Sequence, residues 1–195
     1  MANYWVIFRV FRLLSVFLAL FPASTSIANV NSVEFRFSLL SALSKNSEVI
    51  EFYEENEFKP IWVGSDRSAR ERSSYFFKEL KNISKHALPA FRYDSDYLKN
   101  QFRKARSATE LGLIEALITL KFLEYSSNLQ TGILNPASVD KEIVRKVPYR
   151  SISAYLQTLL SVTPQEFFNG LHPQSKQYSV LLSEKKRLEK IIFQG

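Results

Sequence analysis

An all-α fold is predicted for this chain by three observations. Apolar residues recur at three- and four-residue spacing almost throughout the body of the sequence. Helix-start signals of the form Ser/Thr-x-x-Glu punctuate it. No stretch alternates apolar and polar residues over a convincing strand length, and no repeat or low-complexity tract appears. The expected architecture is a single helical-bundle-like domain of about seven or eight helices over residues 29–195, after an N-terminal signal segment over residues 1–28.

The elements follow in order. Phe35, Leu39, Leu40 and Leu43 mark a short first helix. Val49, Ile50, Phe52 and Tyr53 mark a second, started at Asn46 or Ser47, with Glu48, Glu51, Glu54 and Glu55 on its wet side. Pro60 lacks an N–H and restricts Lys59, so the helix cannot resume there. Phe58, Ile61 and Trp62 are expected to turn back as an apolar plug. Ser68 with Glu71 is read as a capping box opening a helix with the stripe Phe76, Phe77, Leu80 and Ile83. Lys85 to Asp96 is the least regular segment. Ser107 with Glu110 opens the longest helix, about Ala108 to Thr131. Its main stripe is Leu111, Ile114, Ile118, Phe122, Tyr125 and Leu129. Leu113, Leu117 and Leu120 add a second apolar face, the mark of a helix in the middle of a bundle. Gly132 ends it in the left-handed position that glycine adopts most cheaply, and Asn135-Pro136 confirms the stop. A helix over about Ile152 to Ser161 follows. Thr163, Pro164 and Glu166 open the next, and a final helix runs from about Pro173 to Ile192 with Tyr178, Leu181, Leu182, Leu188 and Ile191.

The opening residues have the parts of an export signal. Arg9 and Arg12 form a positive region, Leu13 to Phe21 is apolar apart from Ser15, and Pro22 breaks the run. Ser26 and Ala28 set small residues for cleavage before Asn29. The alternative is an uncleaved membrane anchor through residues 4–27, although the charge-free run is short for a span. Either way an exported, periplasmic location is expected. The rest of the chain is mildly basic, with Lys and Arg scattered among Glu and Asp as on a solvated surface.

Chemistry is sparse. The chain has 195 residues and no Cys, which excludes disulfides, thiolate metal sites and a cysteine nucleophile. Five glycines leave no phosphate-cradling loop. The two histidines, His86 and His172, share no metal-binding spacing and read as helix-end residues. Glu54, Glu55 and Glu57 form the densest carboxylate group. Neighbours on a helix point about 100° apart, so Glu54 and Glu55 are a poor acid/base pair. A glycan hydrolase using Glu54 or Glu57 is kept as the alternative. Ser183 and Lys186 give a Ser-x-x-Lys spacing in a charged run, without companion motifs. Arg67, Arg70 and Arg72, or Arg103, Lys104 and Arg106, could form a basic face, but an export signal argues against nucleic acid. No catalytic, cofactor-binding or metal-binding residue is assigned, and no cofactor is expected.

Four segments, taken in order, resemble a known family. "VIEFY" (49–53) with "FKPIW" (58–62) is similar to the FY…PxW signature near the start of the large multi-domain murein L,D-transpeptidases. "ISKHALPAFRYDSDYL" (83–98) resembles their His-Gly-Leu-x-Pro-x-x-Tyr turn, with Ala87 where Gly is usual. "LIEALITLKFLEYSSNLQTGILNP" (113–136) resembles their central helix, and "LHPQSKQYSVLLSEKKRL" (171–188) their closing helix. The resemblance covers about residues 46–192. It implies the helical, non-catalytic scaffold portion of a wall-crosslinking enzyme, with peptidoglycan or a transpeptidase as partner and the membrane only if the signal is uncleaved. The family's Ser-His-Gly-Cys region has no counterpart before Gly195, so no catalytic residue carries over. The chain is expected to act as a cell-wall adaptor or as the truncated N-terminal part of such an enzyme. An exported interaction protein unrelated to the wall is the remaining alternative.

Overall fold

A computed structural model describes residues 30, 32–134, 138, 142 and 150–195. The signal segment, and the Asn135-Pro136 stop, lie outside the described residues. Eight α-helices are present among them and no strand: α1 (Val33–Leu43), α2 (Ser47–Glu55), α3 (Arg67–Lys81), α4 (Ser95–Lys104), α5 (Ala108–Thr131), α6 (Ile152–Ser161), α7 (Pro164–Leu171) and α8 (Lys176–Gln194). Two short 3₁₀ turns, Ile83–His86 and Ala90–Arg92, occupy the segment expected to be irregular. No helix among the described residues is long and apolar enough to cross a membrane.

The helix starts show how local chemistry sets the boundaries. Ser107 and Thr163 each accept from the N3 backbone N–H while Glu110 and Glu166 reach back, so both capping boxes form. The one expected at Ser68 does not. Asp66 starts α3 instead, its carboxylate accepting from Ala69 N at 2.9 Å. Glu71 pairs with Arg67 one turn away. A carboxylate is as good an N-cap as a hydroxyl, and Asp66 stands earlier in the chain. Gly132 has φ 85° and ψ 163°, positive φ as expected but with extended ψ rather than the left-handed helical value.

α5 is the central element. Ile114, Ala116, Ile118, Phe122, Leu123, Tyr125 and Leu129 are buried along it. Its second face is less enclosed: Leu117 and Leu120 are half-buried and Leu113 is exposed, and Leu111 of the main stripe is half-buried too. α1 makes the most extensive contact with α5. Gly112 permits that approach, since a Cβ there would overlap Ser38 Oγ and the Phe35 carbonyl. Trp62, Phe76, Phe122, Tyr125, Phe167 and Phe168 form an aromatic centre, with Trp62 5.4 Å from Phe76 and 5.3 Å from Phe122 between ring centroids.

α8 departs from expectation. It starts at Lys176 behind the cap Ser175, not at Pro173, and none of its residues is buried. Leu181, Leu188 and Ile191 of its apolar stripe are exposed. Periodicity marks the helix correctly but cannot say whether a neighbour lies opposite the stripe.

Candidate functional site

The loop after α2 is built around one carboxylate. α2 ends with Asn56 Nδ2 donating to Phe52 O at 2.8 Å. Glu57 and Phe58 then take φ of 55° and 57°, the left-handed turn that reverses the chain. Phe58 is half-buried, beneath the Arg36 guanidinium 5.3 Å from its ring centroid. Ile61 and Trp62 are fully buried. Their backbone is held by Glu115 of α5: Ile61 N donates to Oε1 at 2.6 Å, and Trp62 N and Val63 N to Oε2 at 3.1 and 3.0 Å. Tyr53 Oη donates to Oε1 at 2.7 Å. One turn on, Thr119 Oγ1 accepts from Trp62 Nε1 at 2.9 Å and donates to Glu115 O at 2.9 Å. On the outer side Arg72 Nε donates to Ile61 O at 2.8 Å.

This network sets the protonation of its members. Burial raises the Glu115 carboxyl above its ordinary value, although Tyr53 and the three backbone N–H groups pull it back. Burial and the Glu115 charge push the Tyr53 phenol well up, so it stays a neutral donor. Tyr53 Oη also lies 2.7 Å from Thr119 Oγ1, whose own proton goes to the Glu115 backbone carbonyl and not to its carboxylate.

The other sequence-nominated groups are dispersed. Glu54 and Glu55 are exposed. Glu57 is exposed and pairs with Lys59 at 2.8 Å; that hydrogen bond and charge lower its carboxyl, the opposite of what a general acid requires. Arg67, Arg70 and Arg72 do not form a free basic face. They engage Glu71, Ser65 O and Ile61 O respectively. Ser183 donates back to Ser179 O within α8, and Arg106 donates to Ala105 O.

The fold does unite the two histidines. The 3₁₀ turn after α3 presents His86, and the residue after α7 is His172. Their ring centroids are 4.3 Å apart. Glu79, near the end of α3, reaches His172: its Oε2 is 3.3 Å from His172 Nε2 and accepts from Tyr125 Oη at 3.1 Å. His86 Nδ1 meets Tyr178 Oη of α8 at 2.7 Å. The hydrogen bond from His172 is the main cause of a lowered Glu79 carboxyl, while burial and then the neighbouring His172 lower His86. All three are half-buried, and one potential ligand atom from each lies within 4.8 Å of the others. A groove of about 620 Å³, lined among others by His86, Asn128, Gly132, Tyr178 and Leu181, opens beside them.

The family described as a scaffold domain matches residues 47–184. The chain belongs to that family. No curated protein and no solved structure matches it. The match runs from the first residue of α2 into α8, so it takes in the Glu115 latch and the histidine cluster together. Within the scaffold domain, the residues of the FY…PxW stretch are structural: Phe52, Tyr53, Ile61 and Trp62 are all core. Glu115 and Thr119 are the groups the sequence reading passed over. Their signal was present as two polar residues one turn apart inside the apolar stripe Leu111, Ile114, Ile118 and Phe122. The scaffold domain also carries a groove of about 450 Å³ between α3 and α4. Arg70, Lys78, Lys81, Lys99 and Arg103 rim it over Phe77 and Phe102.

Proposed function

We propose that this scaffold domain serves peptidoglycan cross-linking of the L,D-transpeptidase type, outside the cytoplasm, as a non-catalytic support for a transpeptidase. The supporting observation is that residues 49–62, which resemble the FY…PxW signature of those enzymes, are packed into the core and held on the central helix α5. Their burial on Glu115 explains why such a stretch would persist without chemistry of its own. In this reading the cationic α3–α4 groove faces the wall, whose carboxylates supply the complementary charge.

The test is a pull-down of the purified chain with isolated sacculi and with periplasmic extract. Retention of sacculi in a salt-sensitive manner, or of a transpeptidase, is expected. Retention of neither would remove the wall reading and leave an exported interaction protein. A muropeptide digest covers the hydrolase alternative: with Glu57 lowered by Lys59, no cleavage is expected, and cleavage lost in Glu54→Gln or Glu57→Gln would reverse that judgement.

A further inference from the structure

We propose that Glu79, His86 and His172 form a binding site for a divalent cation of the zinc class. The inference does not depend on which enzyme the scaffold serves. Zinc bound by imidazole nitrogen and carboxylate oxygen takes bonds of about 2.0–2.2 Å in tetrahedral array, and two such ligands then lie about 3.3–3.5 Å apart. Glu79 Oε2 and His172 Nε2 already stand at 3.3 Å. The third ligand atom lies within 4.8 Å, so a small side-chain rotation closes the set.

The surroundings suit a cation. Metal ligands must be deprotonated, so an ion would replace the hydrogen bond that His172 Nε2 now shares with Glu79 Oε2. Tyr178 engages Nδ1 of His86 and leaves Nε2, the way a second-shell partner orients a ligating imidazole. Tyr125 Oη donates to Glu79 Oε2 itself and fixes the position of that oxygen. Two imidazoles with one carboxylate select zinc-class ions over magnesium or calcium, which prefer oxygen alone. Three protein ligands leave a fourth position for water or a ligand group. The site also has a mechanical consequence. It joins the end of α3 to the residue following α7, and through Tyr178 to α8, a helix with no buried residue. A bound ion would clip α8 to the body.

The experiment uses the untagged full chain, stripped with a chelator, titrated with ZnCl₂ and followed by calorimetry and thermal melting. One equivalent of zinc should bind, and at a hundredfold excess over Kd the Tm should rise by about 5–10 °C. MgCl₂ should do neither. Co²⁺ should give the visible bands of a tetrahedral site. His172→Gln should abolish binding. Tyr178→Phe, which keeps all three ligands, should weaken it about 10–100-fold, so the proposal stays testable if ligand variants fold poorly. Absence of saturable zinc binding, or equal binding by Tyr178→Phe and by the double variant His86→Gln/His172→Gln, would overturn it.

Discussion

Removing the Glu115 carboxylate should be the most damaging single change at the α2–α3 loop. Glu115→Ala leaves the N–H groups of Ile61, Trp62 and Val63 without the acceptors they now use at 2.6–3.1 Å. Each buried donor left unmade costs about 1–3 kcal/mol. Tyr53 Oη retains Thr119 as partner and adds little. Relief from burying the carboxyl, and partial loop relaxation, offset some of this. The expected net loss is about 3–5 kcal/mol, comparable to breaking a buried ion pair from one side. A domain of this kind has about 5–15 kcal/mol in total. With a urea slope of about 2 kcal/mol/M, the midpoint should fall by about 1.5–2.5 M. Trp62 reports the unfolding by fluorescence in a Trp5→Phe background, which silences the only other tryptophan. Glu115→Gln should fall between the two, because its NH₂ must face one of the backbone donors. A Glu115→Ala midpoint within about 0.5 M of the parent would refute the latch as the loop's anchor.

The remaining expectations concern other parts of the fold. Trp62→Ala should cost about 3–5 kcal/mol, since the indole is fully buried against Phe76 and Phe122; an unchanged Tm would contradict a buried plug. Gly112→Ala should cost about 1–3 kcal/mol by pushing α1 away from α5, visible as a lowered denaturation midpoint. Ala87 has φ 60° and ψ 17° at the end of a 3₁₀ turn; Ala87→Gly should raise stability by about 1 kcal/mol, because the left-handed conformation is costly with a Cβ. Glu115 also sets a pH dependence. Its raised native value means that, as pH climbs from the ordinary carboxyl range, the unfolded chain loses this proton first. The Glu115 contribution therefore weakens with rising pH across the interval between the two values. The difference in stability between parent and Glu115→Gln, measured from acidic to neutral pH, should drift in that direction; the opposite drift would mean the four donors outweigh burial.

The sequence by itself determined all the helices but α4 (Ser95–Lys104), because each of the others is written locally. Capping boxes at Ser107 and Thr163 and apolar spacing placed α5, α6 and α7 without reference to the rest of the chain. It also determined that the FY…PIW stretch is a core element, since aromatics flanking a proline have few alternatives to burial. It could not place the start of α3, where Asp66 and Ser68 were both competent caps and the choice depended on how the loop arrives. What only the tertiary structure decided lies in pairs distant along the chain. Glu115 looks like an ordinary helix glutamate until the loop's N–H groups converge on it from more than 50 residues away. His86 and His172 look like isolated helix-end residues until the packing of α7 on α3 sets their rings 4.3 Å apart, with Glu79 hydrogen-bonded to His172. α8 carries the stripe of a core helix but buries none of it. Hydrophobic periodicity specifies which face can be buried; only the positions of the other helices specify whether it is.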